Sequence, residues 1–131
     1  MDFLNKLPQI GNLLISLYRK NSKMKVFFED KALEEYVRDG KSKVKPYKEY
    51  AKDKLFTKRL QEVVAVMLAV DKVSDLALYS FLKYEALKYG YSGLSSVRIM
   101  NNRVERLIFK ELEYGLEITI IELDKTHYGN K

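Results

Sequence analysis

The chain has no cysteine, and its 131 residues include one histidine and two prolines. The missing thiols exclude disulfides, thiolate catalysis and cysteine-ligated metal. A lone histidine, His127, cannot supply the ligand set of a structural zinc site. No apolar run is long enough to span a bilayer. The N-terminal stretch "IGNLLISLY" is apolar, but Asp2 precedes it and no clear small-residue cleavage site follows, so it does not read as a signal peptide. The expected compartment is the cytoplasm, with no membrane partner. Internal repeats and low-complexity segments are absent too.

What is present is a globular balance, with 47% hydrophobic and 32% charged residues. A chain of this length favours one domain around a single core. The 24 Lys plus Arg exceed the 18 Asp plus Glu, giving a formal net charge of +6. Such an excess attracts phosphate-bearing partners and anionic surfaces. A basic soluble domain with no nucleic-acid partner would carry the same excess.

Phe3, Leu7, Ile10, Leu14 and Leu17 are spaced by alternating fours and threes, which is one face of a helix. Pro8 is tolerated only near the start of such a helix, and Asn21 and Ser22 break it. Its apolar face suits docking on the domain, on a partner or on a membrane surface, and docking on the domain is the expectation. From Met24 the pattern changes. Val26 to Phe28 reads as a short strand. Asp30 can cap a helix through Arg38, with Leu33 and Tyr36 or Val37 facing inward, and Gly40 ends it. A lysine-rich segment from Lys41 to Lys54 follows, and Pro46 forbids a continuous helix through it. Leu55 to Asp71 then reads as a long helix; its centre, "VVAVMLAV", is apolar all round, and its length and polar flank decide for helix over strand.

In the C-terminal half, "SSVRIM", "RVERLIFKE" and "LEITIIEL" are separated by turn residues and form a meander of antiparallel strands. The fold class is therefore α+β, a small antiparallel sheet with two or three helices on one face. Alternation along the strands puts Val97, Ile99, Leu107, Phe109, Ile121 and Leu123 on the helix-bearing face. It puts Arg98, Arg106, Glu122 and Asp124 on the other, together with Ile118 and Ile120, and leaves His127 and Tyr128 at the rim. Two readings of that patch stand side by side. The arginines are cross-strand ion-pair partners of the carboxylates, or their planar forks hold phosphate. Tyr84, Tyr89 and Tyr91 are close in sequence and suit either half-buried packing or base stacking.

From Met24 onward the chain resembles the RelE/HigB superfamily of type II toxins, and within it the HigB-like plasmid maintenance killer branch. The resemblance rests on "MKVFFEDKAL", on "DGKSK", on the long helix and above all on "EALKYGYSGLSSVRIMNNRVERLIF" followed by "IIELDKTHY". It divides the chain into an amphipathic helical extension over 1–23 and a toxin domain over 24–131. It implies a RelE-like antiparallel sheet flanked by helices, and metal-independent, cofactor-free cleavage of mRNA, usually on translating ribosomes. In that reaction the RNA 2′-OH attacks the adjacent phosphate and a 5′-OH fragment leaves. The resemblance also implies a small helix-turn-helix antitoxin of HigA type as partner.

Carried over by motif, Lys88 takes a phosphate-binding or charge-stabilising role, Arg98 is the arginine of the Ser-Val-Arg motif, and Arg106 meets the scissile phosphate. Asp124, His127 and Tyr128 form the terminal cluster, with His127 or Tyr128 as acid and base; an imidazole suits that work near neutral pH. Lys43, Lys45 and Lys83 join Arg98 as RNA or phosphate contacts. Glu85 stands where HigB-like members often carry a histidine, so it is the candidate acid–base substitute. Two residues, Lys125 and Thr126, separate Asp124 from His127, and the helix before Met24 is extra to the family pattern. Related ParE-like toxins use a similar fold to inhibit DNA gyrase by binding, and an inactive RNA-binding relative is a further alternative.

Overall fold

The computed structural model describes residues 24–88 and 93–125. Its centre is a five-stranded sheet in the order β1-β5-β4-β3-β2. The strands are β1 (Lys25–Phe28), β2 (Glu85–Ala86), β3 (Leu94–Arg98), β4 (Arg106–Leu112) and β5 (Glu117–Asp124). Strands β2 to β5 run antiparallel, as the meander requires. The sheet as a whole is mixed, however, because β1 joins β5 in parallel, Lys25 facing Glu117 and Phe28 facing Ile120. A parallel partner needs a long crossover, and the helical half of the chain supplies it.

That half contains α1 (Lys31–Asp39), α2 (Tyr47–Tyr50) and α3 (Lys54–Ala69). Asp30 caps α1, its Oδ1 accepting from the amides of Ala32 (2.9 Å) and Leu33 (3.2 Å). Gly40 closes the same helix in the left-handed conformation (φ 73°) and returns its amide to Tyr36. The short α2 follows Pro46, and Asp53 caps α3 by accepting from the Phe56 amide. Two 3-10 turns, Val73–Leu78 and Ser80–Leu82, lead from α3 to β2.

Leu33, Tyr36 and Val37 of α1 and Phe56, Leu60, Val64 and Met67 of α3 pack on Val97, Leu107, Phe109, Ile118, Ile120 and Leu123 in one core. Ile118 and Ile120 correct the sequence expectation, which set them on the opposite face. A bulge in β5, opposite the step from Ile108 to Phe109 of β4, pairs Ile108 with Glu122 but Phe109 with Ile120. The extra residue, Ile121, shifts the alternation by one. Both isoleucines thereby enter the core, while Glu122 and Asp124 stay on the far face. The centre of α3 is buried from Val63 to Leu68, as its all-round apolar character suggests. Among the described residues no helix is long and apolar enough to cross a membrane. The helix expected over 1–23 lies outside the described residues.

Candidate functional site

The face away from the helices is sorted along its length. Leu87, Leu94 and Ile108 form a small apolar cluster in its middle. Toward one end, β3 finishes at Arg98, β4 begins at Arg106 and β5 finishes at Asp124. Register places Arg98 and Asp124 directly opposite Arg106 on its two sides. Two guanidiniums facing each other across one strand pair concentrate positive charge, which is unfavourable unless an anion offsets it.

Arg106 is buried, and its guanidinium is held from several sides. Its Nε donates to Ser96 Oγ at 2.7 Å, and its Nη2 donates to the Lys83 carbonyl at 2.7 Å. The same Nη2 pairs with Glu85 Oε1 at 2.8 Å. Ser96 reaches Arg106 because it precedes Arg98 by two residues on the same face. The Lys83 carbonyl reaches it from the end of a 3-10 turn, where Lys83 adopts a left-handed conformation (φ 49°). Glu85 reaches it because β2 pairs Glu85 with Ser96. With Nε and Nη2 engaged, the fork's orientation is fixed, and Nη1 is the nitrogen left to take a ligand among the described residues.

The ion-pair partner that the described residues give Arg106 is thus Glu85. The physical reason is reach: β2 brings the Glu85 carboxylate, and the 3-10 turn before it the Lys83 carbonyl, to the same nitrogen of the guanidinium. Arg98 instead donates from Nη1 to the Arg103 carbonyl at 2.8 Å. Glu85 is half exposed, its side chain 52% accessible against 8% for Arg106. A carboxylate in that position is open to a substrate hydroxyl while sharing the guanidinium's charge. Asp124 is buried beside this end of the sheet. Glu122 is held above the usual carboxylate range, first by burial and then by the charge of Asp124.

Other sequence candidates fall further away or elsewhere. Lys83 lies at the site through its backbone, and its side chain is exposed. Lys88 follows β2 at the end remote from Arg98, since Leu87 already bonds back to Leu94. Lys43 and Lys45 are exposed in the loop between α1 and α2. It is α2 and the start of α3 that meet the arginine-bearing end of the sheet, where Tyr50 Oη of α2 donates to Glu105 at 3.0 Å and Arg103 Nη1 pairs with Asp53 at 2.6 Å. Tyr84 is partly buried and stacks on Phe109 at 6.3 Å, so it packs against the core. His127 and Tyr128 lie outside the described residues, as do Tyr89 and Tyr91. Among the described residues, no three His, Asp or Glu side chains come together as metal ligands. Sequence reasoning did not foresee the Lys83 carbonyl or the Glu85–Arg106 pair; the one local signal is that Ser96, two residues before Arg98, shares its face.

The architecture has solved counterparts. The chain is similar to the YoeB/ParE toxin from Agrobacterium tumefaciens, at 16% identity over 79% of this chain and 99% of that one, with a TM-score of 0.46. It is also similar to the YoeB dimer from Staphylococcus aureus, at 22% identity over 82% of this chain and 100% of that one, with a TM-score of 0.44. The heterotetrameric YoeB-YefM toxin-antitoxin complex from Staphylococcus aureus gives 22% identity, the same coverage and a TM-score of 0.42. No family model and no curated protein matches the chain. Identities and scores of this size leave the functional reading to the chain's own side chains.

Proposed function

We propose that this chain is the toxin component of a type II toxin–antitoxin pair, a metal-independent endoribonuclease that cuts mRNA on translating ribosomes in the cytoplasm. The observation that carries the reading is the fixed Arg106 fork, its Nη1 not engaged by any described residue, beside the half-exposed carboxylate of Glu85. In this reading Arg106 binds the scissile phosphate and neutralises the charge that builds on it. Electrostatic stabilisation of that kind is commonly the largest catalytic term. Arg98, directly across the strand pair, adds a second positive charge.

Glu85 removes the proton of the 2′-OH, whose oxygen then attacks the adjacent phosphorus. The P–O5′ bond breaks, and His127 or Tyr128 protonates the departing 5′-oxygen. The products are a 2′,3′-cyclic phosphate and a 5′-OH fragment. Lys43, Lys45 and Lys83 hold the flanking phosphates, Lys88 a more distant one, and Asp124 sets the charge balance around Arg106. A HigA-like helix-turn-helix antitoxin keeps the activity silent.

Expression in bacteria with mapping of RNA ends tests the reading. Growth arrest should come with new 5′-hydroxyl ends in message. Glu85→Gln and Arg106→Gln should each lower cleavage by about 10²-fold or more, and His127→Ala by at least about tenfold. Arrest without new ends, accompanied by loss of DNA supercoiling activity, would replace cleavage by a gyrase-binding function.

A further inference from the structure

The chain between α3 and β2 is anchored at Val73, Leu76 and Leu82, which are buried in the core. Between those anchors it presents large apolar side chains to solvent. Leu78 is 80% exposed, Phe81 48% and Tyr79 39%. Tyr79 and Phe81 meet edge to face, their ring centroids 6.1 Å apart. The pair therefore holds its own geometry without being covered. Neighbouring exposed apolar groups of this kind mark an interaction site.

The location narrows the partner. Phe81 is two residues from Lys83, whose carbonyl receives Arg106 Nη2 at 2.7 Å. Two residues of chain span at most about 7 Å, so the aromatic pair borders the arginine-bearing end of the sheet. The segment carries charges of both signs, Asp71, Lys72 and Asp75 at its start and the exposed Lys83 at its end, and Lys83 is the cation nearest the rings along the chain. Flat aromatic rings beside a lysine and the guanidinium assigned to phosphate are the combination that holds single-stranded nucleic acid, the cations tracking the backbone and the rings stacking on bases. A protein partner would match the apolar groups but would have no use for the adjoining cations unless it were acidic.

We propose that Tyr79 and Phe81 form a stacking platform for an unpaired nucleobase of the RNA strand whose phosphate lies at Arg106, an inference that rests on the RNA-cleaving reading. The platform fixes the direction in which the strand leaves the site. It selects for single-stranded over paired RNA, because a base within a duplex has no free face to offer.

The test uses the full chain and a fluorescent single-stranded RNA carrying a 2′-deoxy nucleotide at the cut position, so that binding is read without cleavage. Phe81→Ala and Phe81→Leu should each weaken binding about tenfold, since stacking needs a flat ring rather than an apolar one. Phe81→Trp should bind as the wild type does. Replacing the neighbouring nucleotide by an abasic one should weaken the wild type about tenfold and leave Phe81→Leu unchanged. Wild-type affinity in Phe81→Leu, equal losses from the abasic strand in both proteins, or no RNA binding by the wild type would each overturn the platform. Unchanged RNA affinity with loss of antitoxin co-purification would overturn it in favour of a protein-docking patch. The two claims fail separately: a wild type that leaves cellular RNA uncut sinks the cleavage reading. A wild type and a Phe81→Leu variant that cut equally well at limiting RNA sink the platform alone.

Discussion

Arg103 shows how single residues hold the site in place. Its guanidinium lies over the Phe56 ring at 4.7 Å and pairs with Asp53 at 2.6 Å and Glu105 at 3.0 Å. Its carbonyl receives Arg98. The β3–β4 turn is thereby tied to the start of α3, and both site arginines flank that turn. Burial alone would raise the pKa of Glu105, but hydrogen bonds from Arg103, from its own backbone and from Tyr50 bring it below the usual range. A depressed carboxylate contributes stability above its unfolded pKa and loses it as pH falls through the folded value. Arg103→Gln removes the main opposing effect and leaves burial to act. The gap in unfolding free energy between wild type and Arg103→Gln should therefore be largest at about pH 6 and shrink toward about pH 3. Urea titrations at both pH values check it, and a gap independent of pH would contradict it. Much at this scale was legible: alternation alone places Arg98 and Arg106 on one face. The Glu85 pairing was not, because a two-residue strand carries no alternation of its own and its partner is chosen non-locally.

At the level of elements, Asp30 joins two helices through one carboxylate. Oδ1 caps α1, while Oδ2 accepts from Tyr47 Oη of α2 at 2.6 Å. Burial first, and then this bond to Asp30, pushes the Tyr47 hydroxyl well above its usual pKa, so it stays a donor throughout the working range. Tyr47→Phe should cost about 1.5–3 kcal/mol, the value of a hydrogen bond to a charged group. Asp30→Ala should cost that and about 1 kcal/mol more for the lost cap. Chemical denaturation of both variants checks the difference, and equal costs would show the cap to be idle. The Asp30 and Gly40 signals bound α1 in sequence and structure alike, and α3 departs by only one or two residues from the expected Leu55 to Asp71. Caps and helical spacing are local, so they can be read locally. The parallel β1–β5 pair and the β5 bulge are set by contacts across the sheet, and a strand's own sequence does not name its neighbour. The 3-10 turns before β2 have no period to read either.

Across the whole molecule, charge and topology point the same way. The fold gathers the ends of β3 and β5 and the start of β4 at one end of the sheet, and α2 and the start of α3 meet that end through Tyr50 and Asp53. The formal net charge of +6 draws polyanions to the molecule as a whole. The α+β class was legible in composition and periodicity, and alternation gave the helix-covered face for β3 and β4 but not for β5 before its bulge. The proposed chemistry enters through resemblance alone, because a guanidinium's role depends on which neighbours orient it. The most direct test of the central claim is the chemistry of the cut. The full chain is incubated with message on translating ribosomes, and the fragment ends are read. Cleavage through Glu85 and Arg106 predicts a 2′,3′-cyclic phosphate upstream, a 5′-hydroxyl downstream and no cut where the message carries a 2′-deoxy nucleotide at that position. Cutting at the 2′-deoxy position, or 5′-phosphate ends, would contradict it.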